Sequence, residues 1–293
     1  MADSPSRGTC DTGYMLYFAY DGSIHGDWVG QYAIHMAKRL PEPMLHLLHV
    51  EDRELSASAL RKRLARFEWA CDQLTLPLEV TVVPEHKSVA STLLGMVSEG
   101  KEHLLVCGTR VRQRGRGLLA DTVSEQLLRV APCQVLSIRV MQPGLLGAPH
   151  NFLIPVSGRP EGIRTGLPPL RLLTTLTSKL EVLLVRRVSH GRFRHISHEE
   201  ATSLVEEGER YASEIEEALA GELDIPVGSV DRTVVLSDDI PKEIVIHAGK
   251  HRSQLIYMGA SAKSLRRRSV YGSPIEQVLR SAPCDVAIYG DLP

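Results

Sequence analysis

Short apolar runs alternate with longer segments of helical spacing along most of the chain. Residues 14–20 (YMLYFAY) are an apolar run that stops at Asp21-Gly22-Ser23. Residues 24–39 place Trp28, Tyr32, Ala33 and Met36 at helical intervals, with Leu40 following. A short strand is expected at 44–50, a long, basic amphipathic helix at 54–74, and a strand at 78–83. A helix at 88–99 carries Val89, Leu93, Leu94 and Val97, and residues 103–107 (HLLVC) read as strand. A loop rich in glycine and arginine leads to a helix at about 119–130 and a last strand at 134–140. Strands that alternate with helices in this way predict a parallel sheet covered on both faces.

Residues 151–291 repeat the order. Strands are expected at 151–156, 180–186, 230–236, 254–258 and 285–289, with helices at about 162–177, 197–221, 239–250 and 273–281. The second of these helices carries Glu199, Glu200, Glu206, Glu207, Glu209, Glu214, Glu216 and Glu217, which reads as a solvated face. The repetition is also visible residue by residue. Segments 104–140 and 255–291 align without a gap. Gly108 meets Gly259, Glu125-Gln126 meets Glu276-Gln277, and Ala131-Pro132-Cys133 meets Ala282-Pro283-Cys284. Two amphipathic helices alike by chance would not share the glycine, the helix-ending tripeptide and the strand in one register. The expected layout is a loose N-terminal tail at 1–13, a first α/β domain at 14–140, a linker at 141–150 (MQPGLLGAPH), and a second domain at 151–291.

Composition narrows the function classes. Among 293 residues, Lys plus Arg is 34 and Asp plus Glu is 35, so bulk positive charge holds no nucleic acid here. No apolar stretch is long enough to span a membrane, and the polar N-terminus lacks a signal-peptide core, so the cytoplasm is the expected compartment. Cys10, Cys71, Cys107, Cys133 and Cys284 form no CxxC pair and are expected to be reduced. His25, His35, His46, His49 and His86 show no HExxH spacing, and no metal site is expected. Neither a Gly-x-Ser-x-Gly elbow nor a Walker A lysine motif occurs.

In an open parallel sheet, ligands bind beyond the carboxyl ends of the strands, where the strand order reverses. Two segments of each copy should meet there. In copy one these are Asp21-Gly22-Ser23 and Gly108 to Thr122; in copy two, Ser157-Gly158 and Gly259 to Ser273. A glycine loop entering a helix N-terminus presents bare N–H groups to an anion, and a carboxylate at the first turn suits ribose hydroxyls.

These residues together resemble a tandem universal stress protein. The resemblance spans about residues 14–291. It rests on the first-strand Asp-Gly-Ser, on Gly-x-x-Gly-x9-Gly-(Ser/Thr), and on the helix ending in Ala-Pro-Cys before a final strand. It implies two five-stranded, Rossmann-like domains of the adenine-nucleotide alpha hydrolase type. It further implies that their last strands pair within one chain as an internal pseudo-dimer. Nucleotide-binding members of the family hold ATP or a related adenine nucleotide, with Mg as its companion. Copy one keeps Asp21, Val50, Gly108 and Thr122 of that site, but has Val111 and Asp121 where glycines belong. Copy two keeps Gly259, Gly272 and Ser273, has Ala262 for the second glycine, and has Ser157 for the aspartate. On the phosphate loop alone, copy two is the better candidate.

Both loops are basic, with Arg110, Arg112, Arg114 and Arg116 in one and Lys263, Arg266, Arg267 and Arg268 in the other. Such clusters suit phosphate or an acidic protein partner. With only 5% aromatic residues, base stacking is poorly served. The leading expectation is therefore a non-catalytic stress-response protein tuned by an adenine nucleotide. A nucleotide-free module binding a protein partner is the alternative, and a weak ATPase the third reading. Homodimerisation of the tandem stays open.

Overall fold

The apolar runs expected as strands become strands, and the strands join edge to edge. The structure, a computed structural model, describes residues 14–51, 55–109, 122–156, 161–193, 195–226, 228–260 and 273–290. In the first half the strands are β1 (Leu16–Tyr20), β2 (Leu45–Glu51), β3 (Leu78–Pro84), β4 (Gly100–Gly108) and β5 (Cys133–Arg139). In the second they are β6 (Asn151–Val156), β7 (Lys179–Arg187), β8 (Asp231–Ser237), β9 (Leu255–Ala260) and β10 (Asp285–Gly290). The order across the sheet is β3-β2-β1-β4-β5-β10-β9-β6-β7-β8. All neighbours run parallel except β5 and β10, which pair antiparallel with Ile138 opposite Ala287 and Leu136 opposite Tyr289.

Helices cover both faces. The first half has α1 (Ile24–Ala37), α2 (Ala57–Gln73), α3 (Val89–Leu94) and α4 (Val123–Val130). The second has α5 (Glu161–Arg164), α6 (Leu167–Leu173), α7 (His190–Phe193), α8 (His198–Leu223), α9 (Ile240–Lys250) and α10 (Pro274–Ser281). Side-chain oxygens close the helix starts: Ser23, Ser56, Ser88, Thr122, Ser197, Asp239 and Ser273 each accept an N–H from the first turn. Each face of the sheet carries one apolar cluster that runs through both halves. Phe18, Tyr32, Leu104, Phe152 and Tyr257 belong to one, and Leu105, Leu127, Leu153, Ile256 and Val278 to the other.

The structure corrects several sequence expectations. The helix expected at 162–177 is two short pieces, α5 and α6, ending at Leu173. Gly166 separates them, and Pro168 and Pro169 have no N–H with which to continue the α5 ladder. The helix expected at 88–99 ends at Leu94, and β4 begins at Gly100 with a register shift before Leu104. The acidic face of α8 is not wholly solvated. Glu216 is buried, takes the Gly228 N–H, and meets Arg232 Nε at 3.2 Å.

The linker packs closely on the first half. Gly147 has φ +74°, and a Cβ there would fall 2.5 Å from the backbone of Gln31 and Tyr32 on α1. Asp285, at the start of β10, fastens the same region. Its Oδ2 accepts the Tyr32 hydroxyl at 2.6 Å, and its Oδ1 accepts the Met141 and Gln142 N–H groups at 2.6 and 2.8 Å. The equivalent position in the first half is Gln134, whose Oε1 accepts the Tyr14 hydroxyl at 3.5 Å.

Asp285→Ala would orphan one hydroxyl and two amides in the seam. It should cost about 2–4 kcal/mol in equilibrium denaturation, the sum of such desolvation terms; a loss near zero would show that the tie contributes nothing. Burial also raises the Asp285 carboxyl above its ordinary value, with Tyr32 and the two amides pulling it back. The folded chain thus keeps this proton to higher pH than the unfolded one. Its stabilising share is fullest below the ordinary carboxylate value and declines as pH rises through the raised one. Denaturation from about pH 4 to 7 should show this extra downward slope in the wild type and not in Asp285→Asn; equal slopes would refute it.

Candidate functional site

In each half the strand order reverses at the central strand, between β1 and β4 and again between β6 and β9. The crevice above their carboxyl ends is where a parallel sheet binds ligands. In the first half this brings Asp21 after β1, Val50 near the end of β2, Gly108 at the end of β4, and Thr122 at the start of α4 to one edge of the sheet.

Asp21 is held in place by its own turn. Its Oδ1 accepts the Ser23 N–H at 2.9 Å and the Ser23 hydroxyl at 2.7 Å. Ser23 Oγ in turn accepts the Gly26 N–H at 3.0 Å, capping α1. The carboxylate therefore lies at the positive end of α1, where a negative charge is favoured. Gly22 makes the turn with φ +73°, a conformation open to glycine. His49, on β2, is buried beside it and donates Nδ1–H to the Tyr20 carbonyl at 2.8 Å. Tyr20 and Arg63 both bond the Asp27 carboxylate, tying α1 to α2 behind the turn. Val50 is buried. Among the described residues, a Cβ on Gly108 would meet only Val29 Cγ2, at 3.6 Å, an ordinary contact. The Thr122 hydroxyl accepts the Glu125 N–H at 3.2 Å.

The second half fills the corresponding space. A Cβ on Gly259 would lie 2.8 Å from the Tyr289 ring, and one on Gly166 2.6 Å from the same ring. Tyr289 stacks on Tyr257 with centroids 4.9 Å apart, and its hydroxyl donates to the Gly162 carbonyl at 3.3 Å. The first half has Val106 and Ile138 where the second has these two tyrosines. Ser273 and Glu276 form a reciprocal cap on α10: the Ser273 N–H donates to Glu276 Oε2 at 2.8 Å, and the Glu276 N–H to Ser273 Oγ at 3.2 Å. Pro274 offers no N–H of its own. The helix start that would meet a phosphate thus holds a carboxylate of the chain itself. Ser-x-x-Glu at 273–276 is a capping-box pattern visible in the sequence; the ring above Gly259 is not. Glu125 holds the matching place in the first turn of α4, so the two halves differ here in the ring over Gly259 rather than in charge. Ala262, Gly272, Val111, Asp121, Ser157 and both arginine-rich loops lie outside the described residues.

The other chemistry is sparse. Cys71, Cys107, Cys133 and Cys284 are buried and unpaired, and burial pushes the Cys107 and Cys284 thiols up to about 12. They are inert core thiols; Cys10 lies outside the described residues. Sequence inspection missed a cluster on the second half, Glu181, His247 and His251. Its one sequence signal is the four-residue spacing of the two histidines, which lacks the HExxH form. Burial holds the His247 imidazole below its ordinary value. Among the described residues, no helix is long and apolar enough to cross a membrane.

The pattern of the Universal stress protein family matches the chain twice, over residues 16–139 and 171–290. A universal stress protein from Archaeoglobus fulgidus DSM 4304 superposes with TM-score 0.58 at 13% identity, over 94% of this chain and 98% of that one. A functionally unknown protein from Pseudomonas aeruginosa PAO1 gives 0.56 at 16% identity, over 94% and 92%. The cytoplasmic domain of a prokaryotic cation chloride cotransporter gives 0.57 at 11% identity, over 95% and 96%. At such identities the likeness speaks for the fold alone. No curated protein matches the chain.

The two glycines test the packing contrast directly. Gly259→Ala must displace the Tyr289 ring and should destabilise by about 1–3 kcal/mol, as overpacking does. Gly108→Ala, meeting ordinary contact, should stay within about 1 kcal/mol of the wild type. Thermal denaturation of both would show it; equal losses would mean that the two crevices are filled alike.

Proposed function

Because the chain belongs to the universal stress protein family, we propose that it is a non-catalytic regulatory protein of stress response that holds an adenine nucleotide in its first half. The observation that carries this is the contrast between the two glycines: among the described residues a Cβ on Gly108 would meet only an ordinary contact with Val29, whereas one on Gly259 would run into the Tyr289 ring. The loop sequence alone favours the second half, through Gly272 and Ser273; the Tyr289 ring over Gly259 outweighs that. In the first half, Asp21 would hold the ribose hydroxyls, Val50 would lie against the base, and the end of β4 with the start of α4 would meet the phosphates and an accompanying Mg ion. The second half would serve as the structural counterpart. On this reading, the antiparallel β5–β10 pairing is an internal pseudo-dimer seam. The site's residues nominate no general base and no positioned water, so no hydrolysis is assigned.

Freshly purified protein, denatured and analysed by mass spectrometry, should release an adenine nucleotide. Nucleotide-free protein should gain thermal stability from millimolar ATP, by about 2.7 kcal/mol when the ligand stands at a hundred times its Kd. Asp21→Ala and Gly108→Val should lose that gain, and Gly272→Val should keep it. Loss on Gly272→Val alone would move the site to the second half. An empty protein unmoved by ATP would leave the nucleotide-free interaction module standing, and sustained phosphate release would restore the ATPase reading.

A further inference from the structure

A second cluster lies far from the crevice, where β7 begins and α9 ends. Glu181 is the third residue of β7 and only 6% exposed. His247 occupies the last turn of α9 and is 8% exposed. His251 caps that helix one turn later. One ligand atom from each of the three lies within 4.8 Å of the others. His251 Nδ1 stands 3.1 Å from Glu181 Oε2, and His247 Nδ1 stands 4.0 Å from Glu181 Oε1.

The pairings leave a vacancy of bonding. His247 Nδ1 is buried and has no hydrogen-bond partner. A buried ring nitrogen without a partner costs free energy, so such a group calls for an explanation. The two imidazoles stack with centroids 5.5 Å apart and planes at 19°. Thr233, on the neighbouring strand β8, donates its hydroxyl to Glu181 Oε1 at 3.1 Å and fixes the carboxylate. Such outer-shell hydrogen bonds orient ligands in metal sites.

We propose that Glu181, His247 and His251 form a binding site for a divalent transition-metal cation of the zinc type. The donor set selects that class. Two imidazoles and one carboxylate suit zinc and its late first-row neighbours, whereas magnesium and calcium prefer oxygen ligands throughout. Three protein ligands leave a fourth position for water, as in open zinc sites. The side chain of His251 is 39% exposed and gives the ion a path from solvent. The negative end of the α9 dipole favours a cation at this place. Of the charged groups around His247, Glu243 adds to that field and Lys250 opposes it. A tetrahedral zinc with bonds of about 2.0–2.1 Å would draw the donor atoms to roughly 3.3 Å apart, within reach of small side-chain rotations. The bound ion would clamp α9 onto β7. The site lies on β7, five strands beyond β4 in the sheet order, so it is independent of the function proposed above.

The probe is Co2+ or Zn2+ alone, added to tag-free full-length protein that has been stripped with a chelator. Co2+ should give the visible bands of a four-coordinate nitrogen–oxygen site. Zn2+ should bind in competition with a chromophoric chelator and raise the melting temperature. His251→Ala, at the exposed end of the cluster, should weaken Zn2+ binding by more than the 10–100-fold that an outer-shell change causes. Thr233→Val should weaken it by about tenfold. Unaltered affinity in His251→Ala, absence of micromolar binding, or sulfur-to-cobalt charge-transfer bands from the core cysteines would each overturn the assignment.

Discussion

The antiparallel pairing of β5 with β10 is the constraint on which the molecule depends. Each half alone would expose its fifth strand, with a row of unpaired N–H and C=O groups. Joined through Val286–Arg139 to Tyr289–Leu136, the two edges satisfy each other and the sheet continues across ten strands. The apolar layers then run through both halves on either face, and α1 of the first half packs on α6 of the second. Arg39 donates to the Leu172 carbonyl at 2.8 Å across that contact. The connecting segment is held by Asp285 and by the close approach of Gly147 to α1.

The seam relates two halves of one plan, yet their chemistry has diverged. Asp285 replaces Gln134, and Tyr257 and Tyr289 replace Val106 and Ile138. The aspartate anchors the linker; the tyrosines fill the floor of the second crevice under α5 and α6. Aromatic rings there add apolar contact and two hydroxyl anchors. The first half keeps small or aliphatic residues at the same positions and a carboxylate poised at the start of α1.

Much of this was legible in the sequence. The strands follow from apolar runs such as 14–20 and 134–140, because a strand buried on both faces has no polar alternation. The duplication follows from the ungapped match through Ala-Pro-Cys. The broken helix after β6 was signalled by Gly166, Pro168 and Pro169, although helical spacing across 162–177 masked it. What stayed hidden depends on neighbours across the sheet. That Tyr289 lies over Gly259 requires the β9–β10 register, and that Glu181 meets His247 and His251 requires the packing of α9 on β7. Linear spacing carries neither fact. The burial of Glu216 was hidden likewise by its place in a helix of exposed glutamates.

Amide hydrogen exchange with and without ATP tests the proposed reading most directly, that the first half holds a nucleotide and the second is its structural counterpart. The account predicts slowed exchange at the Gly22–Gly26 turn, at Thr109 and at the first turn of α4, with the amides of β9 and α10 unchanged. Protection at Gly259–Ala260 and Ser273–Glu276 instead, with none in the first half, would contradict it.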